Sequence, residues 1–337
     1  MKSMLPIIIL FIVSTGFSQS LAEGKKTDSK KNQIRMTVAG GLIPASVKVK
    51  GIVRHFYLHI PKNLRKRKPV SAPVVFYLHG GGPSSDALSS RISFKLDKLA
   101  DREGFVVVYP NGLGNQWNDA RVAEFEKRMP AQFADDVAFI DGIIRGLTKA
   151  KIADPKRIYM TGASNGGMMI YTLACKIAHK LAAIAPAMAS MPVELRDSCK
   201  PKQPLPILIF NGADDQIIPW QGGRVSPMRK HDLGYVLSVD HTIRLWRGYN
   251  GCSKNGKKKK LAHKDAKDPT HVEVFNWSDC KNGSEVVVYK IVGGGHNWPG
   301  SDMSRKPEKL RRYLGVSNQD IDPKEELWKF FKRHKLP

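Results

Sequence analysis

With 337 residues, 42% of them hydrophobic and 25% charged, the chain can build one extensive apolar core and does not read as disordered. Lys and Arg number 55 against 30 Asp and Glu, a formal net charge of +25 at pH 7. The excess is spread out, and its local clusters, Leu64 to Lys68 and Lys257 to Lys260, lie in polar, loop-like stretches without interleaved aromatic residues, which excludes a nucleic-acid reader and predicts a solvated basic surface.

Residues 1–22 read as a signal peptide. Lys2 supplies a positive start, Leu5 to Val13 is an apolar run too short to span a bilayer, and Ser20 to Ala22 offers small residues for cleavage. No later run is apolar enough to cross a membrane, so the predicted product is secreted or periplasmic, with no membrane contact after cleavage. Residues 23–34 read as a mobile basic N-terminus, leaving 35–337 as a single domain.

Strand patterns then recur along the chain. Ile52 to Ile60 alternates and is rich in β-formers. Val74 to Leu78, Phe105 to Pro110, Arg157 to Gly162 and Leu205 to Gly212 are continuous apolar runs, as in strands buried on both faces. Ala182 to Ala189 is a weaker run, and Glu285 to Val292 closes the series. Helical patterns fall between them. Phe133, Val137, Ile140, Ile144 and Leu147 form one stripe, and Asn165 to Ala178, Asp232 to Arg247 and Glu325 to Phe331 read as further helices. This alternation predicts an α/β fold with a mostly parallel central sheet and helices on both faces. In such sheets functional groups collect beyond the carboxyl ends of the strands. The loops there are "HGGG" (79–82), "PNGLGNQW" (110–117), "GASNGG" (162–167), "NGADDQ" (211–216) and "GGGHNW" (293–298).

These loops hold the parts of a serine nucleophile system. Gly162-Ala163-Ser164-Asn165-Gly166, between a strand and a helix, has the Gly-x-Ser-x-Gly spacing of a nucleophile elbow, where small neighbours relieve a tight turn. A serine hydroxyl needs a base. Of the 10 histidines, His296 follows the last strand in a glycine-rich loop expected to swing the imidazole over the elbow. His55, His59 and His79 sit in or at the end of strands, and His231, His241, His263 and His271 lack such a loop. The acid belongs between serine and histidine, where Asp214 and Asp215 are neighbours that spacing cannot separate. The oxyanion donors predicted are the N–H of Asn165 and one from "HGGG", Gly81 ahead of Gly82. Trp117, Trp220 and Trp298 are candidate substrate-stacking residues, with packing as their alternative role. The pattern calls for no metal and no cofactor.

Four cysteines in an exported chain predict disulfides, and local pairing, Cys175 with Cys199 and Cys252 with Cys280, closes two short loops. Zinc ligation has no Cys-x-x-Cys spacing to support it.

The segments "YLHGGG", "YPNG", "WNDAR", "DDVAFI", "DPKRIYMTGASNGGMM", "NGADDQIIPWQGG" and "GGGHNWPG" resemble the exported polyhydroxybutyrate depolymerase-like esterases, close to the feruloyl and acetylxylan esterases of carbohydrate esterase family 1. The similarity runs from about Ile52 to the "WKFFKRH" end. It implies an α/β-hydrolase fold, a triad of Ser164, Asp215 and His296, and pairing of Cys252 with Cys280. It favours Asp215 because the acid precedes a Val/Ile-Pro-aromatic step, here Ile218-Pro219-Trp220. Asn211 stands where His is usual, Ala163 where Leu is common, and the lysine-rich Lys254 to Lys267 is an insertion. The implied substrates are small carboxylic esters: polyhydroxyalkanoate oligomers, feruloyl esters or acetylated saccharides. A non-catalytic protein binding anionic envelope polymers and a peptidase of the same fold are the competing readings. Nothing in the sequence addresses oligomeric state.

Overall fold

The computed structural model describes residues 42–66, 69–122, 134–226, 232–304 and 306–337. The signal-peptide and basic N-terminal segments, Arg67, Lys68, Phe133 and His231 lie outside the described residues.

The chain opens with a hairpin of β1 (Leu42–Val49) and β2 (Ile52–His59). Its two-residue turn, Lys50 and Gly51, has φ values of 46° and 89°, the left-handed backbone that matches strand twist in tight hairpins. Next come α1 (Lys62–Arg65), β3 (Ala72–Leu78), α2 (Ala87–Phe94), α3 (Leu96–Glu103), β4 (Val106–Pro110) and α4 (Asp136–Lys149). The centre holds β5 (Ala153–Ala163), α5 (Asn165–Ile177), β6 (Ala183–Ala187) and β7 (Ile207–Gly212). A small hairpin of β8 (Gly223–Arg224) and β9 (Tyr235–Val236) precedes α6 (Val239–Asn250). The chain closes with β10 (Lys257–Lys260), β11 (His271–Trp277), β12 (Val286–Val292), α7 (Glu308–Leu314) and α8 (Pro323–Phe331).

Ten strands form one sheet in the order β1-β2-β4-β3-β5-β6-β7-β12-β11-β10. The run from β4 to β12 is parallel throughout, and antiparallel strands flank it on both sides. Every residue of β3 is buried, as its unbroken apolar run requires of a strand covered on both faces. Its side chains divide between two cores. Val74, Phe76 and Leu78 join Phe139, Ile140 and Ile143 of α4, the apolar face of α5 and Trp246 of α6. Val75 and Tyr77 join Phe94, Leu99 and the α8 residues Leu327, Trp328 and Phe331.

Two elements depart from the sequence reading. Lys257 to Lys260 is an exposed edge strand, not a loop, held by backbone pairing to β11. Its backbone pairing needs no apolar side chain, and lysines on an edge discourage pairing with another chain. The helix expected from Asp232 begins at Val239, where the Ser238 hydroxyl accepts the His241 N–H at 3.1 Å. Asp232 instead accepts the Gly234 N–H at 2.9 Å, a local turn that competes with helix. The same helix runs past Arg247 to Asn250 and stops at Gly251, in left-handed conformation. Both disulfides form as paired from the sequence, Cys175–Cys199 and Cys252–Cys280. No helix among the described residues is long and apolar enough to cross a membrane.

Candidate active site

Ser164 stands between β5 and α5 with φ 54° and ψ −123°, a backbone state that non-glycine residues rarely adopt. Two backbone bonds hold it there: its N–H donates to the Ala187 carbonyl, and its carbonyl accepts from the Met168 N–H, each at 2.9 Å. The flanking glycines are required by close approach. A Cβ on Gly162 would lie 2.5 Å from the Leu78 carbonyl oxygen, and one on Gly166 2.3 Å from that of His79. The end of β3 therefore packs directly against the turn, and only Ser164 itself carries the positive φ.

Asp215 and His296 meet beyond the ends of β7 and β12. The His296 Nδ1 lies 2.7 Å from Asp215 Oδ2, with side chains 10% and 1% exposed. The other carboxylate oxygen of Asp215 accepts the N–H groups of Ile217 and Ile218, both at 2.8 Å. These bonds use both Asp215 oxygens and hold the carboxylate in one orientation. Asp214 is exposed, and its N–H donates to the Gly294 carbonyl at 2.9 Å, so its backbone docks the histidine loop.

The glycines before His296 do not serve a swinging loop. A Cβ on Gly294 would lie 2.3 Å from Ile291 Cγ2, and one on Gly295 2.2 Å from the Leu314 oxygen. Across from them a Cβ on Gly212 would lie 2.3 Å from the Gly294 oxygen. The His296 N–H donates to the Leu314 carbonyl at 2.6 Å, and the Asn297 amide donates to Leu314 and Gly315 carbonyls. Small residues thus let three backbone segments pack, which fixes the imidazole. Ser164 and His296 share the carboxyl edge of the sheet, and no hydrogen bond joins them among the described residues.

Asn165 is the first residue of α5, so its N–H has no acceptor within the helix. Gly81 lies beside it: a Cβ on Gly81 would sit 3.2 Å from Asn165 Cβ. Gly80 is close to the serine, 3.7 Å from its Cβ by the same construction. The loop carrying these glycines is fixed by His79. Its Nε2 accepts the Gly112 N–H at 2.9 Å, which puts the proton on Nδ1, where it donates to the Gly80 carbonyl at 2.7 Å. Burial lowers the imidazole pKa from its ordinary value, which favours this neutral tautomer.

Of the three tryptophans considered for stacking, two are buried. Trp117 is 1% exposed, and its indole N–H donates to the His79 carbonyl at 2.9 Å. Trp220 is 7% exposed, with the Lys290 ammonium 4.7 Å from its ring centroid. Trp298 is partly buried against Phe94 and Phe210, and its indole N–H donates to the Tyr77 hydroxyl at 3.0 Å. Trp117 and Trp220 pack; Trp298 alone keeps part of its surface open. A cavity of about 860 Å³ lies alongside the histidine loop, lined by residues that include Met303, Arg311, Arg312, Val316 and Gln319, with none of Ser164, Asp215 or His296 in its wall.

Two charged residues escaped individual notice in the sequence. Asp119 Oδ2 accepts the Asn165 side-chain N–H at 2.6 Å, and Arg121 Nε donates to both Asp119 oxygens at 3.0 Å. Both are buried. Their only sequence signal was two opposite charges close together, just after the loop that follows a strand, in "WNDAR".

A family model described as alpha/beta hydrolase fold matches residues 75–206, from β3 through the elbow to the start of β7. The chain has the α/β-hydrolase fold. A crystal structure titled as a thermostable esterase superposes with a TM-score of 0.52 at 15% identity, covering 88% of this chain and 63% of that one. Feruloyl esterase B of Piromyces equi is 30% identical over 205 residues, 59% of this chain and 35% of its own length. The chain therefore spans about a third of that curated relative. NocK of Nocardia uniformis subsp. tsuyamanensis is 27% identical over 289 residues, 82% of this chain and 80% of NocK.

Proposed function

We propose that this α/β-hydrolase is an exported serine esterase that cleaves carboxylic esters through an acyl-enzyme. The observation that carries the reading is the Asp215–His296 hydrogen bond, on the same sheet edge as a serine held at φ 54°. In this reading His296 Nε2 accepts the Ser164 proton as Oγ adds to the ester carbonyl. The N–H groups of Gly81 and Asn165 receive the developing oxyanion. His296 then returns the proton to the departing alcohol, leaving the acyl group on Ser164. A water repeats the sequence: His296 takes its proton, the hydroxide adds to the acyl carbonyl, and Ser164 leaves with the proton as the acid is released. Asp215 keeps the imidazole oriented and offsets its charge when protonated.

The match to a relative named feruloyl esterase supports small carboxylic esters as the substrate class, with feruloyl esters ahead of acetyl esters and polyhydroxyalkanoate oligomers. The two disulfides support an oxidising compartment, secreted or periplasmic. In this reading residues 35–337 are the catalytic domain. The deciding experiment is hydrolysis of p-nitrophenyl acetate by wild type and Ser164→Ala. The variant should lose activity by several orders of magnitude, roughly 10⁴-fold or more as for other serine triads. Retained activity overturns the assignment. Methyl ferulate, acetylated xylan and hydroxybutyrate oligomers, assayed in parallel with a peptide amide, then rank the natural ester.

A further inference from the structure

We propose that Asp119 and Arg121 are positioning residues for the oxyanion site, acting through the side chain of Asn165. This rests on the reading of Ser164, Asn165 and Gly81 given above.

The Asn165 amide is fully engaged. Its Oδ1 accepts the Trp117 N–H at 2.8 Å. Its Nδ2 donates to the Trp117 carbonyl at 3.0 Å and to Asp119 Oδ2 at 2.6 Å. Those three bonds fix both side-chain torsions and, through them, the direction of the Asn165 Cα–Cβ bond. The Asn165 N–H, one of the two oxyanion donors, is therefore aimed by contacts that lie behind the reacting centre. The neighbouring Ser164 backbone sits in a costly conformation, and such a state persists only where the surroundings over-determine it.

Asp119 is itself held from every side. Arg121 reaches its carboxylate with Nε and with a terminal nitrogen at 2.9 Å, and the Arg121 N–H adds a bond at 3.2 Å. The Thr172 hydroxyl, further along α5, donates to the Asp119 carbonyl at 2.8 Å. Arg121 also donates to the Leu233 carbonyl. Asn118, directly before Asp119, donates its N–H to Asp136 Oδ2 at 2.8 Å. A buried carboxylate and guanidinium add little net stability over an apolar pair, so their use here points to a geometric task.

The same segment holds the other donor. The Trp117 indole N–H bonds the His79 carbonyl, and the Gly112 N–H bonds His79 Nε2, so residues 112–121 grip the glycine loop that carries Gly81. Residues 112–121 thus set the separation between the two oxyanion N–H groups. Because those groups are needed most when the carbonyl oxygen becomes an anion, disturbing them should lower kcat rather than raise KM.

The test uses Asn165→Ala and Asp119→Asn, singly and together, in the full chain. The readouts are kcat and KM on p-nitrophenyl acetate and inhibition by an aryl trifluoromethyl ketone. The ketone takes Ser164 Oγ at its carbonyl carbon, gives the serine proton to His296 and leaves an oxyanion in the same site. Each single variant should lose about ten- to a hundred-fold in kcat with KM nearly unchanged, and the ketone should weaken by the same factor. The double variant should be no worse than the weaker single one within about threefold, because both break one link. Wild-type kcat in Asn165→Ala, unchanged ketone affinity in a slowed variant, or multiplying losses in the double variant would each overturn the proposal. If Asp119→Asn does not fold, Asn165→Ala decides alone, since it leaves the Asp119–Arg121 pair intact. Ser164→Ala run alongside separates the outcomes: activity without Ser164 sinks the site assignment itself, whereas its loss leaves the positioning role to be judged on its own.

Discussion

Asp214 and Asp215 are adjacent, yet only Asp215 turns its carboxylate onto the imidazole of His296, 2.7 Å away and 81 residues further along the chain. Asp214 faces solvent and contributes its backbone N–H to the loop that carries the histidine.

Asp215→Asn should therefore lower kcat/KM for an ester by about 10⁴-fold, because an amide at that position favours the wrong imidazole tautomer. Asp214→Asn keeps the backbone bond and should stay within about twofold of wild type. Steady-state kinetics on the two variants checks both, and a large loss from Asp214→Asn alone would reverse the roles.

The elbow glycines make a second prediction. Gly166→Ala places a methyl group 2.3 Å from the His79 carbonyl oxygen, a contact that backbone must move to relieve. Loss of activity and a lowered urea midpoint should accompany it. Gly248→Ala is the control, since nothing lies within 4 Å of the added carbon in the last turn of α6. It should raise stability by about 0.5–1 kcal/mol.

The disulfides close loops with sequence separations of 24 and 28 residues. Loop-entropy reasoning assigns each about 3.5 kcal/mol, an upper figure for the cost of reduction. Reduced, alkylated protein should melt well below the oxidised form. A thermal scan that shows no difference would remove the energetic argument for export.

Stability should also depend on pH through His263, whose Nδ1 lies 3.1 Å from Asp320 Oδ2. The hydrogen bond to Asp320 raises the imidazole pKa above its ordinary value. A raised folded pKa gives stabilisation that is complete below about pH 6.5 and is lost as pH climbs through the folded value. Burial works against ionised Asp320, but bonds from the Lys264 N–H, His263 and Asn318 prevail and lower its pKa. That contribution is present above about pH 4 and is lost as pH falls through the folded value. The pair therefore acts most fully between these limits. The gap in urea midpoint between wild type and His263→Gln should be wider near about pH 5.5 than near about pH 9. A gap that is constant with pH would contradict the assignment.

What the amino-acid order fixed on its own was the sheet and its working edge. Unbroken apolar runs such as Val74 to Leu78, ending in glycines, read as strands covered on both faces, and the rule that chemistry gathers beyond strand ends then singled out Ser164, His296 and an aspartate pair. Local pattern could not see β10, because Lys257 to Lys260 form a strand through backbone pairing with β11, without an apolar side chain. Nor could it separate Asp214 from Asp215, recognise Trp117 as a buried brace, or assign Asp119 and Arg121 a task. Those distinctions depend on which side chains face one another across long separations, and orientation of that kind exists only after the backbone segments have packed. The glycines show the division most clearly: their clustering is legible in one dimension, but the carbonyls of Leu78, His79 and Leu314 that forbid a side chain come from elsewhere in the chain.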